Sequence, residues 1–524
     1  MAAFLTSIGY QHWVLQVLLG VPLLGVVLVI ISPTAWARWL ALAVAIFEFV
    51  ISLGLWWTFD PANGGMQFVT RVDWLPQFGV SYYVGLDGLS LFMVLMSAAL
   101  MPLLVWGSWN QIDFKQRGFY ALLLALKTGM LGVFVALDLF LFYCFWELLL
   151  IPMYFLIGIW GSGNRLYAST KFFIYTFSGS LLMLVAIIAM VWTIGQETGT
   201  YSFAYENLVA HKDLVAHHAP WLFVAFALAF AVKVPIFPFH TWLPDAHGEA
   251  PTAGSVDLAV ILLKMGTYGF LRFAIPFFTA FALSPAVSTV MVTLAVIGIV
   301  YGALVSMVQP DLKRVVAYSS VSHLGFVMLG IWAGTVQSVQ GAIMVMIAHG
   351  ISTGALFFLV GMLYERRHTR MIADFGGLAR VAPLLAAAFT ITAFSSIGLP
   401  GLNGFVGEFL VLLGSFGRFP VATVVATTVV IFAAAYLLWA VQRVFFNPLS
   451  KPENERVPDL NLREVAVMVP LIAAMLWMGL YPQPILRRTE AAAVRYVETI
   501  RPHLAPEELG APSERQTADA EIRP

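Results

Sequence analysis

The stretch Trp221-Leu-Phe-Val-Ala-Phe-Ala-Leu-Ala-Phe230-Ala-Val-Lys233-Val-Pro235-Ile-Phe-Pro238-Phe-His240 decides how the rest of the chain is read. It is about 20 residues of nearly unbroken apolar sequence, the length a helix needs to cross a bilayer. A lysine sits inside it, where charge is costly and marks a pathway, a relay or a pair. Pro235 and Pro238 follow at once, and proline lacks an amide hydrogen and clashes with the preceding helical turn. A membrane span that carries a charge on a break has the pattern of a transport site.

Composition extends that reading to the whole chain. Of 524 residues, 60% are hydrophobic and only 11% charged, against roughly a quarter charged in soluble domains. A soluble enzyme, a nucleic-acid binder and a disordered scaffold are excluded. Lys plus Arg and Asp plus Glu both number 28, so no polyanion partner is implied. The single cysteine, Cys144, excludes an internal disulfide framework, a thiolate zinc site and a cysteine-held iron–sulfur cluster. No CxxC, GxGxxG or P-loop occurs, so the chain shows no motif for NAD, flavin or ATP. His240 and His247 are separated by Pro244 with no cysteine near, and no metal site is assigned to them.

Apolar runs fall near 14–32, 38–58, 85–107, 119–137, 139–160, 172–194 and 221–240. Further runs fall near 255–276, 286–308, 315–334, 340–364, 383–417, 421–446 and 464–481. The expected fold is an all-α polytopic membrane protein of about fourteen spans; the short alternating segments of a β-barrel are absent. Ala35-Trp36-Ala37 resembles a signal-peptidase site, but no Lys or Arg precedes it, so the first run is expected to remain as a helix. Odd-numbered loops hold fifteen basic residues, Lys313 and Arg314 among them, and even-numbered loops four. The positive-inside bias puts odd loops in the cytoplasm and both termini outside. Arg487, Arg488 and Arg495, just past the last span, run against it. The residues beyond 482 read as a polar tail.

Six ionisable residues lie at similar depth in different spans: Glu147, Lys233, Lys264, His323, His349 and Glu408. Equal depth suggests a polar row along the membrane plane. Each also has a plainer reading: Glu147 with Lys233 fits a structural ion pair, and His349 fits a packed core residue. Glu48 and Lys127 are intramembrane too, but no break or motif accompanies them, and pairing or packing is expected. Asp257 lies near a helix start, where a dipole role is expected. Pro235 and Pro238 are expected to release the carbonyls of Ala231 and Val234. Gly398-Leu399-Pro400-Gly401 in the twelfth span should release that of Ser396, just before Asn403 and Glu408. The breaks fall in the fourth helix of spans four to eight and of spans nine to thirteen, the spacing of an inverted repeat.

Four motifs carry a family resemblance. They are Lys233-Val-Pro-Ile-Phe-Pro-Phe-His240-Thr-Trp-Leu-Pro-Asp245-Ala-His247-Gly-Glu-Ala-Pro251, Phe145-Trp146-Glu147 with Ile151-Pro152-Met153-Tyr154, Asp311-Leu-Lys-Arg-Val-Val-Ala-Tyr-Ser-Ser-Val-Ser-His323, and Asn403-Gly-Phe-Val-Gly-Glu408-Phe. Together they resemble the antiporter-like subunits of respiratory NADH:quinone oxidoreductase, complex I, over roughly residues 80–485. Glu408 stands where the L and N chains and related cation/proton antiporter subunits usually carry lysine, and the long lateral helix of the L chain is lacking. Both features point to the M-type branch.

The resemblance implies fourteen helices with two inverted five-helix repeats, broken in helices seven and twelve. The division is 1–118 for helices one to three, 119–276 and 286–446 for the repeats, 464–481 for helix fourteen and 482–524 for the tail. It implies that Glu147 modulates the charge of Lys233, that Lys264 is the central relay, and that Glu408 opens outward. His323 and His349 would join these through ordered water. The implied function is proton translocation as a subunit of the oxidoreductase, with no cofactor in this chain and FMN and iron–sulfur clusters in partner subunits. L-type and N-type chains would be neighbours in a bacterial inner membrane. Competing readings are a cation/proton antiporter subunit without a redox partner, and a membrane subunit of a related hydrogenase or photosynthetic complex. A purely structural arm would gain nothing from several buried charges. Glu48 and Lys127 match no family-wide role.

Overall fold

Residues 1–504 are described in a computed structural model of the chain. The rest of the expected polar tail lies outside the described residues. The apolar runs become helices α1 (Tyr10–Ile31), α2 (Thr34–Ser52), α3 (Leu91–Gly107), α4 (Gln116–Val135), α5 (Leu139–Trp160) and α6 (Arg165–Thr198). Next come α7 (Ala219–Lys233), α8 (Trp242–Glu249), α9 (Thr252–Phe277), α10 (Pro285–Met307), α11 (Leu312–Ala333) and α12 (Val336–Arg367). The last are α13 (Pro383–Ile397), α14 (Asn403–Phe416), α15 (Pro420–Val441), α16 (Leu462–Leu480) and α17 (Gln483–Ile500). Among the described residues, twelve helices are long and apolar enough to cross a membrane, while α3, α13 and α14 are shorter apolar helices.

Burial divides these helices into a centre and a shell. α9, α11 and α12 are buried nearly all round, whereas α1, α2, α15 and α16 leave most of their apolar surface outward. A helix that is apolar on every side must lie inside other protein or lipid. The three central helices are those that carry Lys264, His323 and His349, so these three candidates sit at the middle of the bundle.

The structure departs from the sequence expectations in four places. The third span does not start at 85. An antiparallel hairpin, β1 (Gln67–Leu75) and β2 (Val80–Leu86), runs up to it, and Asp87 then accepts from the amides of Leu89 and Ser90 and opens α3. The seventh span stops at Lys233, because the prolines beyond cannot continue the ladder. The carbonyl of Ala231, expected to be free, accepts from the Ile236 amide at 2.9 Å. That of Val232 accepts from the Trp242 indole at 2.8 Å. The expected tail begins as α17, whose buried residues Ile485, Thr489, Ala492, Ala493, Tyr496 and Ile500 form one helical stripe. Lys313, counted as a loop charge, is buried in the first turn of α11 and donates to the Ala250 carbonyl at 2.8 Å.

Candidate functional site

Lys264 lies on α9 between two π-helical stretches, Leu258–Leu262 and Phe270–Ala274. Wide turns of this kind often occur at functional sites. Its ammonium donates back to the Ala259 carbonyl and reaches Nδ1 of His349 on α12 at 2.6 Å. On the far side, Nδ1 of His323 on α11 donates to Oε1 of Glu408 on α14 at 2.8 Å. The two imidazoles stand 5.6 Å apart between centroids. Among the described residues, Nε2 of each ring has no hydrogen-bond partner. Four sequence candidates are thereby brought into one line, Lys264–His349–His323–Glu408, crossing four helices, and Glu408 is paired with His323 rather than with Lys264.

The second break bears directly on that line. Gly398 ends α13 with φ of +84°, a conformation that favours glycine, and a Cβ there would lie 3.2 Å from Oε2 of Glu408. The break therefore lets the Glu408 carboxyl approach the backbone. Tyr436 on α15 lies within electrostatic reach of that carboxyl, with Ser319 on α11 beside the tyrosine. Nothing in sequence singled them out, since a tyrosine and a serine in apolar helices are ordinary.

Glu147 and Lys233 are held differently. Lys233 ends α7 with its ammonium 5.2 Å from the Trp146 ring centre and 5.6 Å from that of Phe172, a cation–π seat. Among the described residues it has no hydrogen-bond partner. Glu147 on α5 has Tyr143 and Ser180 beside it and lies within electrostatic reach of Lys233, without an ion pair between them. The structure does not join either residue to Lys264 by hydrogen bonds. What it does bring together is backbone: a Cβ on Gly266 of α9 would lie 2.9 Å from the Val234 amide, so α7 and α9 touch next to both lysines.

The remaining ionisable residues fall outside this line. Glu48 and Lys127 are paired at 3.7 Å with neither exposed. Asp257 makes no capping bond at the start of α9 and lies within electrostatic reach of Lys127. His240 packs between Phe237 and Tyr301, and His247 stacks on Phe357 at 4.6 Å between ring centres.

The family described as NADH:quinone oxidoreductase/Mrp antiporter, TM, matches residues 136–433. NADH-quinone oxidoreductase subunit M of Pseudomonas aeruginosa is 46% identical over 465 residues, covering 86% of this chain and 90% of that one. A chain of respiratory complex I from Thermus thermophilus superposes with a TM-score of 0.84 at 34% identity, covering 93% of this chain and 99% of that one. A chain of the Mrp complex from Dietzia sp. shares the fold alone, with a TM-score of 0.80 at 22% identity over 94% and 99%. The chain belongs to the NADH:quinone oxidoreductase/Mrp antiporter transmembrane family, among the subunit M proteins of NADH-quinone oxidoreductase.

Proposed function

We propose that the chain carries protons across a bacterial inner membrane as a subunit of NADH:quinone oxidoreductase. Electron transfer from NADH to quinone takes place in partner subunits that hold FMN and iron–sulfur clusters, and L-type and N-type chains flank this one. The observation that carries the reading is the buried line Lys264–His349–His323–Glu408 in a member of this family. A proton leaving Lys264 passes to Nδ1 of His349, crosses between the two imidazoles through one water, and reaches Glu408, which opens to the periplasm. Transfers over hydrogen-bond distance or through one water are within reach of such groups.

Glu147 acts on Lys233 from a distance. Burial favours the neutral amine and a nearby carboxylate favours the ammonium, so a small movement of Glu147 switches Lys233 between holding and releasing its proton. In this reading the two halves, 119–276 and 286–446, are inverted repeats with α7–α8 and α13–α14 as their broken helices. The membrane holds fourteen crossings, and both termini are periplasmic.

The test is NADH-driven proton uptake by the intact complex in proteoliposomes carrying Lys264→Met. Assembly is checked on native gels, and electron entry by NADH oxidation with an artificial acceptor. Lost uptake with electron entry preserved supports the reading; parental uptake overturns it.

A further inference from the structure

The Lys264 line leaves a second group of buried charges unused. Glu48 on α2, Lys127 on α4 and Asp257 on α9 come from three separate helices, and none is exposed. Lys127 donates to the Ser97 carbonyl on α3 and lies 3.7 Å from Oε1 of Glu48. Glu48 and Asp257 both lie within electrostatic reach of Lys127. All four carboxylate oxygens of Glu48 and Asp257 lack a hydrogen-bond partner among the described residues.

Fully ionised, this cluster would hold two negative charges against one positive charge inside a low-dielectric wall. A buried ion pair repays its desolvation only when its remaining lone pairs are hydrogen-bonded, and here they are not. Buried charge of this kind is relieved by neutralisation. One added proton makes the cluster neutral, and it belongs to the cluster as a whole rather than to one carboxyl. Position supplies the second half of the argument. Asp257 directly precedes the π-helical stretch Leu258–Leu262, and Lys264 follows that stretch. The seven residues from Asp257 to Lys264 span about 10 Å of helix axis.

We propose that Glu48, Lys127 and Asp257 form a second proton-holding site, which carries one proton at rest and exchanges it with Lys264. Transfer breaks the carboxylic O–H of the cluster and forms an N–H on the neutral amine of Lys264, through water along the α9 wall. The transfer leaves one net negative charge on the cluster and one positive charge on Lys264, so the two sites load alternately. No electron acceptor or donor is needed. The inference rests on the proton-carrying function proposed above and adds a side entry to it.

The experiment uses the intact, reconstituted complex with Glu48→Gln, Asp257→Asn and Lys127→Met, and Glu48→Asp as the conservative variant. Infrared difference spectra are triggered by NADH in water and in deuterium oxide, beside proton uptake. The parent is expected to show a deuterium-sensitive loss of protonated-carboxyl absorption. Glu48→Gln and Asp257→Asn should each lose that signal, because the remaining carboxylate balances Lys127 with no proton to give. Glu48→Asp and Lys127→Met should keep it, the latter because both carboxyls are then protonated. A merely structural ion pair would leave the signal unchanged in both amide variants, and that result overturns the proposal. Loss of uptake in Lys264→Met with the carboxyl signal intact in both amide variants would reject the cluster alone. Parental uptake in Lys264→Met would reject the pump reading itself.

Discussion

Lys233 and Lys264 stand on helices that touch, α7 and α9, and both are buried in spans with irregular backbone, yet they are held by opposite means. Lys264 is hydrogen-bonded on both sides, to the Ala259 carbonyl and to Nδ1 of His349. Lys233 faces the rings of Trp146 and Phe172 without a hydrogen-bond partner among the described residues. A lysine bonded to an imidazole has a neighbour that can take its proton, and its release is a matter of geometry. A lysine seated on ring faces has no such neighbour. Its charged neighbour is Glu147, which lies within electrostatic reach of it. On the proposed function, the first would pass a proton on and the second would be switched.

The largest expected effect tests the bonded lysine. Lys264→Met should lower NADH-driven proton uptake by about a hundredfold, the lower end of what positioned proton transfer contributes. Lys264→Arg should be nearly as poor, because arginine keeps its proton at working pH. Parental uptake by an assembled Arg variant would mean that Lys264 never deprotonates.

The switched lysine should respond to its carboxylate. Glu147→Gln removes the charge and should strongly reduce proton uptake and coupled quinone reduction, whereas Glu147→Asp should keep part of both. Lys233→Ala should be as severe, and Lys233→Arg should not restore it. If Glu147→Gln pumped normally, the field description of Lys233 would fail while the bonded line stood.

The contrast between the two lysines was only half legible in the sequence. Hydropathy is a one-dimensional signal, so the apolar runs, the proline and glycine breaks and the six ionisable residues were all visible as letters. Pairing was not, because His323 meets Glu408 only once α11 and α14 are packed side by side. The nearness of Asp257 to Lys127 was hidden for the same reason: Lys127 lies on α4, far away in sequence. The hairpin was missed because most of β1 is exposed and lacks the alternation of a half-buried strand. α17 was missed because its buried stripe includes Thr489, Ala492 and Ala493, too small or polar to stand out.

Glu408 sharpens the far end of the bonded line. Its partner is His323 at 2.8 Å, so a role as fixed counter-charge to Lys264 is indirect at most. If it carries the proton, Glu408→Gln should impair uptake more than Glu408→Lys, which stays titratable. If it serves as counter-charge to a protonated His323, the lysine variant should be worse, because it would place like charges together in low dielectric. The relay order is expected, and uptake measured with both variants decides it.

The smallest expected effect lies at the α8 end of the first break. Asp245 on α8 pairs with Lys171 on α6 at 2.8 Å and with Arg314 on α11 at 3.1 Å, so it ties the second half of the broken helix to both neighbours. All three side chains are partly exposed, and such pairs contribute about 0–1 kcal/mol each. The buried bond from the Trp242 indole to the Val232 carbonyl is unaffected by Asp245→Asn and keeps α8 docked. The variant should therefore assemble, with a slightly lower midpoint of heat inactivation and a modest loss of proton uptake. The seat of Lys233 adjoins this break, so the loss should resemble a mild Glu147 defect. High salt screens exposed pairs, and should bring the parent towards the variant while leaving the variant unchanged. A salt-independent difference would mean that Asp245 acts inside the proton path rather than as a tether on the break.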